Sequence, residues 1–163
     1  MGVNLFEILQ SRRVRVLFVC LGNSCRSQMA EGFARAYGGD VLEAQSAGIQ
    51  PASRISRRAS KVMEEKGVSL SGFLPKSISS MNLGNFDIIV NLSEYSLPDT
   101  TTLVLKRPLH DPMSGDEDAF RDVREDVEQV VRFLIEQCRL ARQWNARINP
   151  LYSKECAPAS SSL

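Results

Sequence analysis

In the stretch VRVLFVCLGNSCRSQMAEGF, Val14 to Phe33, an apolar run ends in Cys20, and Arg26 and Ser27 follow across five intervening residues. A thiolate is a nucleophile, and a guanidinium can clamp an oxyanion through two parallel N–H bonds. Between them Leu21, Gly22, Asn23, Ser24 and Cys25 form a small, polar loop. The backbone N–H groups of such a loop, placed at the start of a helix, can curl around one tetrahedral dianion. The same field favours the Cys20 thiolate, as does a bond from the Ser27 hydroxyl. The parts suit attack by sulfur on phosphorus, with loop amides holding the equatorial oxygens as charge shifts.

A cysteine ending a buried strand is often only a small hydrophobe. The run of strand, cysteine, polar loop, arginine and helix argues for chemistry instead. CLGNSC lacks the three glycines of a dinucleotide loop and the Gly-Lys-Ser of a Walker loop. Cys20 and Cys25 have no second ligand pair at zinc spacing, so no metal is expected.

The elements around the loop follow from periodicity. VRVLFVC alternates little after Val16, as in a strand covered on both faces of a parallel sheet. SQMAEGFARAY carries helical spacing and stops at Gly38-Gly39; VLEAQSAG reads as a second strand, and SRRASKVMEEKG as a helix ending at Gly67. FDIIVNLS and TTLVLK are a third and fourth strand. The segment from Glu117 to Trp144 then places Phe120, Val123, Val127, Val130, Val131, Leu134 and Cys138 on one helical stripe. Strands alternating with helices predict a single-domain, three-layer α/β/α fold around a four-stranded parallel sheet. Residues 1–13 read as an N-terminal extension with an amphipathic helix over Leu5–Gln10, 14–145 as the domain, and 146–163 as a partly disordered tail.

At 163 residues the chain suits one core, and 20 Lys and Arg against 19 Asp and Glu create no field that would draw in nucleic acid. No run is long enough to cross a bilayer, and the opening residues lack a secretory signal, so the expected home is the cytoplasm with no membrane partner. The four cysteines are read as thiols rather than two disulfides. RISRRASK, Arg54 to Lys61, sets positive charges near the expected mouth; its plainest reading is a solvated helix face. Oligomeric state is not encoded in any recognisable pattern.

VLFVCLGNSCRSQMAEGF, together with SAG at Ser46–Gly48 and HDP at His110–Pro112, resembles the superfamily of low-molecular-weight protein tyrosine phosphatases and thioredoxin-linked arsenate reductases. The resemblance spans about Val14 to Arg142. It implies a phosphomonoesterase without cofactor: Cys20 takes the phosphoryl group, Arg26 and the loop hold its oxygens, and Asp111 protonates the leaving group, then activates water. It also implies a phosphotyrosine protein or another phosphomonoester as substrate, and inorganic phosphate or sulfate as ligands of the loop. Asn23, Ser27 and Ser46 would brace the loop.

Three departures from the family pattern carry consequences. Where the phosphatases place a histidine linked to the loop, this chain has Gly72, Phe73 and Leu74. Where aromatic residues would flank a phenolic substrate, it has Met113, Ser114 and Gly115. Where a thioredoxin-linked reductase needs its first resolving cysteine, it has Ser93. The alternatives to the phosphatase are an arsenate reductase using an external thiol, which needs only Cys20, and a phosphate or phosphoprotein binder without turnover. Cys25, close to Cys20 in the chain, is a candidate for a reversible disulfide.

Overall fold

The computed structural model describes the backbone of residues 12–155 and the side chains of residues 12–144. The expected helix over Leu5–Gln10 and the end of the tail, 156–163, lie outside the described residues. Four strands, β1 (Val14–Cys20), β2 (Leu42–Gly48), β3 (Ile88–Asn91) and β4 (Leu103–Lys106), form one parallel sheet in the order β2-β1-β3-β4. The strand with the least alternation, β1, lies inside the sheet, and its residues from Val16 to Val19 are fully buried. Burial on both faces removes the pressure to alternate.

The two faces of β1 feed two cores. Val14, Val16, Phe18 and Cys20 point to a layer of α-helices: α1 (Arg26–Gly38), α2 (Arg57–Glu64) and α3 (Glu117–Glu155). Leu17 and Val19 point the other way, to Ile78, Phe86 and Ile89. That second layer is built from the segment after α2, whose helical turns at Ile78–Ser80 and Leu83–Asn85 are of the short 3-10 kind. The α/β sandwich of the sequence reading is thus present, with unequal helical layers. Phe33 of α1 and Phe18 of β1 are both fully buried in the first core; truncating either to alanine costs about 3–5 kcal/mol in such settings.

Local chemistry sets the ends. Ser56 caps α2, its Oγ accepting from Ala59 N at 3.4 Å. Asp111 caps a 3-10 turn at Pro112–Ser114, and Pro112 suits the first position because that turn asks no N–H of it. On α3 the stripe residues Phe120, Val123, Val127, Val131, Leu134 and Cys138 are all buried. The helix runs on through Glu155, into the 146–163 segment expected to be a tail. A Cβ on Gly38 would stand 2.6 Å from Ile135, so glycine there lets α1 approach α3. Among the described residues no helix is long and apolar enough to cross a membrane.

All four strands run toward the same end of the sheet. The carboxyl ends of β1, β3 and β4 therefore deliver Cys20, Ser93 and the chain leading to Asp111 to one rim, as open parallel sheets do for ligands.

Candidate active site

The loop Leu21–Cys25 joins β1 to α1 and is turned inside out by its neighbours. Its carbonyls are taken from outside: Cys20 O by Ile49 N (3.1 Å), Leu21 O by Gln50 N (2.8 Å), Gly22 O by Ala52 N (2.8 Å) and Ser24 O by Ser56 N (2.9 Å). Among the described residues, the N–H groups from Leu21 to Ser27 donate to no protein acceptor. Carbonyls out and amides in is the arrangement of an anion cradle at a helix N-terminus. Asn23 makes the inversion with a φ of 45°, the one positive value outside glycine among the described residues. Such a conformation costs about 1–2 kcal/mol and persists only where the surroundings over-determine it.

Those surroundings are visible. Asn23 Nδ2 donates to Ser27 Oγ and to Ser46 Oγ, each at 2.9 Å, and its Oδ1 accepts from Lys76 N at 2.7 Å. Ser46 Oγ in turn donates to Glu31 Oε2 at 2.5 Å. Ser27 Oγ already accepts from Asn23, so its single proton is free for Cys20 Sγ at 2.9 Å. A hydroxyl placed in this way can donate to the sulfur. Gln28 Nε2 adds bonds to Asn23 O and Leu74 O. Gly48 ends β2 against this loop, where a Cβ would stand 2.8 Å from Asn23 N.

Cys20 lies at the base of the cradle and is 2% exposed. Arg26, on the first turn of α1, is buried and directs Nη1 to Leu109 O (2.9 Å) and Leu92 O (3.5 Å), while Nη2 pairs with Asp111. Of the five guanidinium protons, Nε–H and one on Nη2 remain for an oxyanion. Asp111 sits at the mouth, with 40% of its side chain exposed, and Met113 N–H donates to its Oδ1 at 3.2 Å. Arg26 thus meets Asp111, the carboxyl that the family resemblance implied, beside the loop that follows Cys20.

The other cysteines of the described chain are poor nucleophiles at neutral pH. Burial, with a further push from neighbouring Cys20, drives the Cys25 thiol far up, and Arg26 only partly offsets this. Burial also raises Cys138, on the apolar stripe of α3, to about 11. Ser93, at the end of β3, donates through Oγ to Asn91 Oδ1 at 2.8 Å and is a structural residue.

Four contributors escaped the sequence reading. Glu31 and Gln28 are buried polar residues on α1, whose helical spacing from Asn23 and Ser27 was the available signal. Gly48 was noted only as part of SAG. The backbone of Lys76 supplies a donor to Asn23 in the segment where the phosphatases place a histidine, and no side-chain pattern announces a backbone donor.

A buried sulfur at the end of a parallel strand, beneath inward amides and beside an arginine, is an arrangement suited to a sulfur nucleophile and a tetrahedral oxyanion. The chain belongs to the low-molecular-weight phosphotyrosine protein phosphatase family, whose model matches residues 15–145. It is 36% identical over 126 residues to the glutaredoxin arsenate reductase of Synechocystis sp., a match covering 74% of this chain and 95% of that protein. An arsenate reductase solved in its phosphate-binding state superposes with a TM-score of 0.72 at 35% identity, covering 77% of this chain and 98% of the other. A tyrosine phosphatase of Erwinia amylovora shares the fold, with a TM-score of 0.64 at 24% identity over 72% of this chain and 88% of its own.

Proposed function

We propose that the protein is an arsenate reductase that regenerates Cys20 with an external thiol, rather than first of all a tyrosine phosphatase. The supporting observation is the pairing of a complete oxyanion cradle over Cys20 with Ser93 where an internal cascade would need a thiol. Relatives that span most of the chain and carry the name arsenate reductase support the same reading. The absence of aromatic residues after Asp111-Pro112 removes the flanks a phenolic ester would stack on.

The chemistry runs in balanced steps. Arsenate enters the cradle, its oxygens meeting the inward amides and the remaining Arg26 donors. Cys20 sulfur forms a bond to arsenic as one As–O bond breaks, and Asp111 at the mouth protonates the departing oxygen, which leaves as water. The sulfur of an external thiol then bonds to Cys20 sulfur while the S–As bond breaks. That bond's electron pair stays on arsenic, which passes from arsenic(V) to arsenic(III) and leaves as arsenite. A second thiol frees Cys20 and takes the mixed disulfide away as its own disulfide. Overall, arsenate and two thiols give arsenite, one disulfide and water.

Phosphate ester hydrolysis is the second reading, favoured by Asp111, since an alcohol leaving group also needs that proton. Both are tested together. Arsenite release from arsenate with added thiol, and nitrophenol release from para-nitrophenyl phosphate without it, are measured for the wild type and Cys20→Ser. Arsenite formation that needs thiol and vanishes in Cys20→Ser is the expected result. Nitrophenol release by the wild type with no arsenite under any thiol would restore the phosphatase.

A further inference from the structure

Beside the catalytic loop lies a cavity of about 460 Å³ whose lining includes Ser24 of the loop, Arg54, Arg57 and Arg58, Met113 and Phe120. The volume is that of a small-molecule site. Ser24 belongs to both the cradle and the cavity wall, and Met113 follows Asp111 by two residues, so the cavity adjoins the catalytic loop.

Its charge is unusual for this chain. The protein as a whole carries a formal +1, yet three guanidinium groups gather here. Arg58 is committed: Nη1 donates to Gly115 O, and the group lies 5.7 Å from the Phe120 ring centroid. Arg54 and Arg57 are exposed and meet no carboxylate among the described residues. The acids at the start of α3 are already engaged. Glu117 pairs with Lys61 and Arg121, Asp118 with Arg121, and Asp116 accepts from Ala119 N. Arg54 and Arg57 are therefore left without a paired carboxylate, as in sites that take an anionic ligand.

The oxyanion substrate does not account for these groups, since the cradle and Arg26 already serve it. We propose that the cavity holds the carboxylates of the external thiol, so that the reductant is a small acidic thiol whose sulfur is carried over Ser24 toward Cys20. This assignment rests on the reductase reading above. It turns RISRRASK from a solvated helix face into a determinant of cosubstrate choice.

The test measures arsenite release with glutathione, which bears two carboxylates, and with its diethyl ester, which bears none. Wild type and the Arg54→Ser, Arg57→Ser double variant are compared, with melting curves verifying that the variant is folded. S-methylglutathione, which cannot reduce, is titrated into both proteins as a readout of binding alone. The expected result is a preference in kcat/KM for glutathione over the ester of about tenfold or more, carried by KM and falling toward parity in the variant. S-methylglutathione should bind the variant correspondingly more weakly. Arg13→Ser, at the opposite end of β1, should keep the wild-type preference. Equal use of glutathione and ester by the wild type, an unchanged preference in the double variant, or reduction by thiol proteins alone overturns the cavity assignment while leaving the reductase intact. No arsenite with any donor, small or protein, sinks the reductase reading and this assignment with it.

Discussion

The two walls of the active site are built in opposite ways. The wall made by Cys20–Ser27 and the end of β2 is buried, with Asn23, Ser27 and Ser46 fully enclosed and bonded to one another. The facing rim, Ser53–Arg58 and Asp111–Gly115, is largely exposed and held by few bonds. Groups that must sit within a fraction of an ångström of a reacting atom need partners that lock them, and buried networks supply this. Groups that select among incoming molecules gain from reach and adaptability. On the reading proposed above, the enclosed wall holds the sulfur and the oxyanion, while the open one supplies the Asp111 carboxyl and the groups that choose partners.

The sharpest way to break this contrast is Asn23→Ala. It removes both Nδ2 bonds and the acceptor for Lys76 N and leaves an alanine to adopt the positive-φ bend without them. We expect kcat to fall about 100-fold and stability by about 2–4 kcal/mol, read from steady-state rates and urea unfolding. Asn23→Gly relieves the backbone but not the bonds, so stability should recover more than kcat. A variant that kept wild-type rate would show the wall to be less essential than its geometry implies.

Ser27→Ala is narrower, because it deletes the hydroxyl that donates to sulfur while Asn23 keeps Ser46. The rate should drop about tenfold, because the sulfur loses the hydroxyl beside it. A variant with the wild-type rate would show that this hydroxyl does not serve the reaction.

At the far end of β1, Asp87 tests whether tight polar engagement is special to the site. Burial alone would raise its carboxyl, but bonds from Arg12, from the Arg15 side chain and from Arg15 N hold it at about 2. A carboxyl held below its ordinary 3.8 stabilises the fold above that value, and the contribution is lost as pH falls from 3.8 toward 2. Because both arginines are 39% exposed, screening reduces the effect to about 1 kcal/mol. Asp87→Asn should lose that amount at neutral pH and show a flatter acid limb, with little change in kcat. A large fall in kcat would mean the two ends of the sheet are coupled.

The smallest effect belongs to the open wall. Met113→Ala, at a residue 51% exposed, should change stability by less than about 0.5 kcal/mol in urea unfolding. A larger loss would show the rim to be packed rather than open.

The choice between reactions was only half legible in the chain. Cys20, Arg26 and Asp111 would suit ester hydrolysis and arsenate reduction alike, because both begin with sulfur attack on a tetrahedral oxyanion. What separates them is the second attacker, water or a thiol. The rim proposed to meet it is assembled from the start of α2 with the residues before it and the turn after Asp111, and only their proximity forms the arginine-lined cavity.

The sequence by itself determined the elements and named the candidate reacting groups. Five residues between Cys20 and Arg26 suffice to turn a strand into a helix around an anion, and the apolar patterns of β1 and α3 name their own buried faces. Those relations hold within a few residues of chain, where covalent continuity fixes distance. Tertiary structure decided what holds the loop open. Ser46 meets Glu31 across 15 residues and Lys76 N meets Asn23 across 53, and the left-handed bend at Asn23 is stable only with those partners in place. Bonds of that range depend on how the segments pack, and a backbone donor such as Lys76 N carries no mark of its role in the sequence.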